Sequence, residues 1–115
     1  MFKGLGQLGD MAKMMKTAKD MQERMVSLQE DLGRIIVTGE SGAGLVQARA
    51  TAKGELIGLN IDPSILIASE KEIVEDLILA AIKDAQARAA VKAQDEQRKL
   101  LQELGLPADV SLPPL

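Results

Sequence analysis

Apolar residues recur along the first third of the chain at Met11, Met14, Ala18, Met21, Met25, Leu28 and Leu32, in alternating steps of three and four. That spacing keeps one face of a helix apolar and holds a heptad register. It predicts a helix from about Leu8 to Leu32, roughly 37 Å long at about 1.5 Å per residue. Asp10 suits its start and Gly33 its C-terminal cap. Residues 1–9 are glycine-rich, either a frayed terminus or an arm that carries Lys3. The face away from the methionines presents Lys13, Lys16, Lys19, Glu23 and Arg24. The methionine stripe reads as a helix–helix seam. An adaptable peptide-binding surface is the alternative, and copper binding lacks His or Cys to accompany it.

The period then changes to two. Residues 35–40, 45–52 and 55–62 read as three short strands, the second alternating Val46, Ala48 and Ala50 with Gln47, Arg49 and Thr51. Ile57, Leu59 and Ile61 share one face of the third. Between the first two strands, the stretch VTGESGAGLV (Val37–Val46) holds Gly39, Gly42 and Gly44 and predicts a tight reversal. It lacks the Gly-Lys-Ser/Thr ending of a phosphate cradle, and a strand follows it, not a helix. Lys53-Gly54 supplies the second turn, and Asp62-Pro63-Ser64 ends the third strand. Ser69 and Glu72 then form a capping-box pattern that opens a second long helix. This helix runs to about Glu103, where Gly105 and Pro107 stop it. Val74, Leu77, Ile78, Ala81 and Ala85 make its first half a packing stripe, and the alanine-and-charge second half is expected to project into solvent. Residues 1–104 thus read as one α+β domain: a long N-terminal helix, a three-stranded antiparallel sheet and a long C-terminal helix. Residues 105–115, with three prolines, form a tail.

Composition narrows the chemistry. The 115 residues include no His, Cys, Trp or Tyr, and one Phe. Common nucleophile–base pairs and the usual zinc or iron–sulfur ligand sets are therefore missing. No cofactor, metal or small-molecule substrate is expected. Glu40, Asp62 and Asp76 are the weak remaining catalytic candidates, each with a simpler turn, strand-end or solvated-helix reading. The longest apolar run, Leu77–Ile82, is far short of the roughly 20 residues of a membrane span. A cytoplasmic protein is expected, without membrane association. A core without aromatics is modest, so a partner chain is expected to complete it.

Net charge is −3, but unevenly placed. Residues 1–19 carry Lys3, Lys13, Lys16 and Lys19 against Asp10, and residues 88–103 carry Arg88, Lys92, Arg98 and Lys99 against Asp95, Glu96 and Glu103. The acidic excess lies between them. Strands of six to eight residues are about 20–27 Å long, too short to cover two such helices. The start of the first helix and the end of the second are therefore expected to reach the same distal end as basic tips. A dimer joined through the sheet, with Val46, Ile57, Leu59 and Ile61 as core or dimer residues, holds two such arms around a cleft. Val46→Asp is expected to disrupt sheet and dimer.

Several stretches together resemble the YbaB/EbfC family of nucleoid-associated proteins: MFKGLGQLGDMAKMMKTAKDMQERM, VTGESGAGLV, NIDPSIL, EIVEDLILAAIKDA and the closing LPPL. The resemblance covers nearly the whole chain. It implies a tweezer-like homodimer that binds double-stranded DNA with low sequence specificity, acts in the nucleoid and catalyses no reaction. It further implies DNA contacts toward the helix ends, matched by position by Lys13, Lys16, Arg98 and Lys99. Lys3, Lys19, Arg24 and Lys92 complete the candidate set. Phosphate contacts release counterions, so about 4–8 of them would make log K fall against log salt with a slope of roughly −4 to −7. With one Phe and no Tyr or Trp, unpaired bases find no stacking platform, which favours duplex. The competing expectation is a protein-interaction module that binds no DNA.

Overall fold

The computed structural model describes the backbone of residues 2–106 and the side chains of residues 8–106. Lys3 lies within the first helix, but its side chain falls outside the described residues, as do residues 107–115 of the expected tail. The elements are α1 (Phe2–Leu32), β1 (Ile36–Ser41), β2 (Val46–Thr51), β3 (Leu56–Ile61) and α2 (Lys71–Glu103). The strands form one antiparallel sheet in the order β1-β2-β3. The α+β architecture read from the hydrophobic pattern is the one observed.

Register decides which residues meet α2. Gly39 pairs with Ala48 and Val37 with Ala50. Val46 pairs with Ile61 and Ala48 with Leu59. Because side chains alternate across a strand, these residues line one face of the sheet. Ala81 and Ala85 of α2 come down on this face, and both are fully buried with Val46, Ala48 and Ala50. A methyl group built on Gly39 would sit 2.6 Å from the Ala85 Cα and 2.7 Å from the Ala81 carbonyl oxygen. Gly39 lies inside β1, within the strand expected over residues 35–40, and the helix backbone leaves no room there for a side chain.

The reversal itself occupies residues 42–45. The Gly44 N–H donates to the Ser41 carbonyl at 3.2 Å, and Gly42 and Ala43 both have positive φ, 59° and 55°. Two left-handed central residues give the twist that a two-strand hairpin favours. Gly42 adopts this freely; Ala43 does so at a cost of about 1 kcal/mol.

A second core joins the helix ends. Leu28 and Leu32 of α1, Ala52 and Leu100 of α2 are buried together, with Met25, Ala93 and Leu104 against them. The Ala52 N–H donates to the Leu32 carbonyl at 3.1 Å, tying the end of α1 to the end of β2. The second half of α2 therefore does not project into solvent as expected. Its alanines allow close approach, and its leucines close over α1.

Four further expectations are corrected. Helix α1 begins at Phe2, so residues 2–9 are helical and Asp10 is not its cap. Gly33 follows α1 but is not among the glycines in the left-handed conformation. Ser69 does not cap α2, because Ala68–Glu70 forms a 3-10 turn and the helix starts at Lys71 with no side-chain cap. The methionine seam is closed only at Met25, Leu28 and Leu32; Met11 and Met14 stay exposed. By contrast, the stop at Gly105 is observed. Its φ is 70°, and the Leu106 N–H donates to the Leu101 carbonyl at 2.9 Å, a Schellman closure.

Two substitutions check this packing by chemical denaturation. Gly39→Ala should cost about 3 kcal/mol or more, because neither backbone can retreat. Ala43→Asn should stabilise the fold by about 0.5–1 kcal/mol, since Asn tolerates the left-handed region.

Candidate nucleic-acid interface

Arg24 meets Glu103 at 3.5 Å. This contact sets the end of α2 beside the last third of α1. The 22 residues from Phe2 to Glu23 then continue past it for about 33 Å. The molecule is accordingly elongated, 84 × 21 × 18 Å. The two basic ends do point the same way, but they do not share a tip. Lys13 is about 16 Å farther out along α1 than Arg24.

Pairing separates the candidate cations further. Lys92 and Lys99 hold the Glu96 carboxylate between them at 3.3 and 3.2 Å. Arg98 pairs with Asp95 at 3.6 Å. The Lys99 hydrogen bond, seconded by Lys92, keeps the Glu96 carboxyl below its usual range. Each basic residue of this group thus already has an acidic neighbour. Lys13, Lys16 and Lys19 are exposed on α1 and form no ion pair among the described residues. At three-residue spacing they turn by about 60° per step, a short ribbon along one side of the arm.

The expected core and dimer residues divide. Val46 is fully buried, and Ile61 packs against the same core. Ile57 and Leu59 do not enter the core of the single chain; they are 50% and 43% exposed, alongside Leu56 at 45%. The reason is coverage. Leu59 pairs with buried Ala48, but α2 lies over β1 and β2 and barely reaches β3. An apolar strip therefore stands open beside the edge strand.

The other edge, β1, is tied to α2. The Glu40 N–H donates to the Asp84 carboxylate at 2.9 Å. Arg88 pairs with the same carboxylate at 3.1 Å. The Ser41 hydroxyl donates to the Leu77 carbonyl. The Glu40 amide first, and Arg88 second, hold the Asp84 carboxyl below its usual value. Asp62 accepts the Ser64 N–H at 2.9 Å, which explains it as a turn residue. Among the described residues, no group of three acidic, His or Cys side chains is arranged to hold a metal. No helix there is long and apolar enough to cross a membrane. The acid partners of the α2 cations were legible as i,i+3 and i,i+4 spacings of Asp95 and Glu96. The Arg24–Glu103 pair and the Asp84 tie join residues far apart in sequence and had no such signal.

Residues 7–104 match the profile of the YbaB/EbfC DNA-binding family. A nucleoid-associated protein of Nitrobacter winogradskyi is 44% identical over 100 residues, covering 87% of this chain and 94% of its own. One from Rhodopseudomonas palustris is 43% identical over 105 residues, covering 91% and 99%. The crystal structure of the uncharacterized protein HP0035 from Helicobacter pylori superposes with a TM-score of 0.60 at 28% identity, over 80% of this chain and 91% of that one.

The Asp84 tie predicts a pH dependence. A lowered carboxyl pKa means that the folded state favours the ionised form. Its contribution is present above the unfolded value, near 3.8, and is lost as pH falls through the lower folded value. Asp84→Asn keeps an acceptor for the Glu40 N–H but removes the charge. Urea melts from about pH 7 down to about pH 2 should show lower stability at neutral pH and a shallower acid loss than in the parent.

Proposed function

Since the chain belongs to the YbaB/EbfC DNA-binding family, we propose that it binds duplex DNA as a homodimer, mainly through phosphates and with low sequence specificity. Residues 1–104 act as the DNA-binding unit, in the cytoplasmic nucleoid, and the protein is not an enzyme. The observation that carries this reading is the set of Lys13, Lys16 and Lys19 on the projecting part of α1, without acidic partners among the described residues. Cations not already neutralised are the ones that displace counterions from DNA. Lys92, Arg98 and Lys99 must share their charge with Asp95 and Glu96, and Arg24 with Glu103. They are the lesser contacts of the candidate set. The open strip at Leu56, Ile57 and Leu59 supports a dimer joined at the sheet, which brings two α1 arms into one assembly.

A second reading, a protein-interaction module without DNA affinity, is favoured by the exposed apolar side chains of α1. One titration distinguishes the two. Anisotropy of a labelled duplex at several salt concentrations, with light scattering on the same sample, should show a dimer. Its log K should fall with log salt at a slope of about −5, from six lysines at 0.9 each. Lys13→Gln, Lys16→Gln and Lys19→Gln together should abolish most of that slope and weaken binding by about 100-fold or more. The triple change of Lys92, Arg98 and Lys99 to Gln should weaken it only a few-fold. A larger loss from the α2 triple would move the interface to α2, and no binding at low salt would leave the protein-partner reading.

A further inference from the structure

Helix α2 covers one face of the sheet. Val46, Ala48 and Ala50 lie beneath it, so Gln47 and Arg49 of β2 point to the other face. Arg49 stands in the middle strand, paired with Thr38 on β1 and Gly58 on β3. In the next row, Gln47 lies between Glu40 and Asn60. Thr38, Glu40, Gln47, Arg49 and Asn60 are all exposed. A polar, solvated face needs no partner to explain it, yet two properties set Arg49 apart.

The first is its seat. A methyl group built on Gly58 would sit 3.0 Å from the Arg49 Cζ and 2.8 Å from its Nε. The guanidinium therefore rests on bare glycine, in space that a side chain there would take. The second is that Arg49 has no ion pair and no side-chain hydrogen bond among the described residues. The acid of the neighbouring row, Glu40, turns to the hairpin, its carboxylate 3.7 Å from a methyl group built on Gly44. A guanidinium presents its N–H donors in a planar fork that matches phosphate. One that is already seated loses less freedom when it binds.

Position points to the ligand. The Ala52 N–H donates to the Leu32 carbonyl, so β2 ends where α1 ends. Back along α1 from Leu32, Lys19 is about 20 Å away. Back along β2 from Ala52, into the sheet, Arg49 is about 10 Å away. The molecule is 84 Å long and 21 × 18 Å across, so both stretches follow its long axis. Arg49 thus lies about 30 Å from Lys19, close to the roughly 34 Å of one duplex turn. A dimer joined at the open apolar strip leaves this face free, because Leu56 and Leu59 pair with Ala50 and Ala48 on the α2 side.

We propose that Arg49 contacts a phosphate of duplex DNA from the open face of the sheet, about one helical turn from Lys19, with Gly58 as its seat. This rests on the duplex-binding reading and extends the interface from the α1 arm to the sheet.

The anisotropy titration tests it, on a duplex of about 30 base pairs, or three helical turns. The two arginines of a dimer, at about 0.9 each, take the slope from about −5 for the lysines alone to about −7. Arg49→Gln should return it to about −5 and weaken binding about tenfold or more near 0.1 M salt. Gly58 is not in the left-handed conformation, so Gly58→Ala suits the backbone. It keeps the charge but displaces the guanidinium, and should weaken binding about threefold or more, adding nothing in the Arg49→Gln background. Light scattering and urea melts check that each variant remains a folded dimer. If Arg49→Gln unfolds, Gly58→Ala decides, and parent-like affinity overturns the proposal. Unchanged affinity and slope in Arg49→Gln, with the parent binding, overturns this contact and leaves the lysine interface standing. A loss in Arg49→Gln with none in Gly58→Ala marks an effect of charge at a distance and also overturns it. No binding by the parent at low salt overturns the duplex reading itself, and this contact with it.

Discussion

Ala81 and Ala85 rest against Gly39 with no side chain between the two backbones, and the rest of the molecule is placed by that approach. The small-residue contact lets α2 sink onto β1 and β2 and bury Val46, Ala48 and Ala50 without a single aromatic ring. Dense contact between many small atoms replaces the large area that aromatic residues would bury. The same depth brings Asp84 within reach of the Glu40 amide and Ser41 within reach of the Leu77 carbonyl. One sheet edge is thereby tied down by the helix. The opposite side, beyond the reach of α2, keeps Leu56, Ile57 and Leu59 exposed.

The direction of α2, once set, determines what α1 can do. Only the last turns of α1 find partners, through Met25, Leu28 and Leu32. The remainder projects, and its described side chains include Lys13, Lys16 and Lys19 and the exposed Leu8, Met11, Met14 and Met15. Net charge says little about such a molecule. A chain of −3 overall can still present a local cationic ribbon where lysines gather on one stretch and form no ion pair with the acidic groups. On α2 they are engaged with the cations themselves, since Asp95 and Glu96 stand one helical turn from Arg98, Lys92 and Lys99. Those pairs are solvent-exposed and individually weak. Their effect is on charge available to a polyanion more than on stability.

Much of this was legible from residue order alone. The heptad steps through Leu32 and the alternation through Val46, Ala48 and Ala50 marked the helix and the central strand, because burial on one face imposes a period. Gly105 marked the end of α2, because only a left-handed residue closes a Schellman turn readily there. Local signals failed where a neighbouring segment decided the outcome. Gly39 fell within the predicted first strand, yet nothing near it showed that the backbone of α2 would rest against it. Ser69 and Glu72 looked like a cap, yet a 3-10 turn took their place. Ala89 and Ala93 looked like a solvated face, yet Ala89 is buried and Ala93 packs against the cluster of Leu28, Leu32, Ala52 and Leu100.

What the sequence determined by itself was the list of elements, their class, the family resemblance and the excess of lysine near the start. Each of these depends on spacing within one segment or on composition. Which cations stay unpaired, which apolar residues stay open and how far α1 extends past α2 were decided by tertiary structure. Those properties depend on distances between segments such as Arg24 and Glu103, or Gly39 and Ala85, that are far apart along the chain. Periodicity carries no information about such distances, because it records which face is buried and not what buries it.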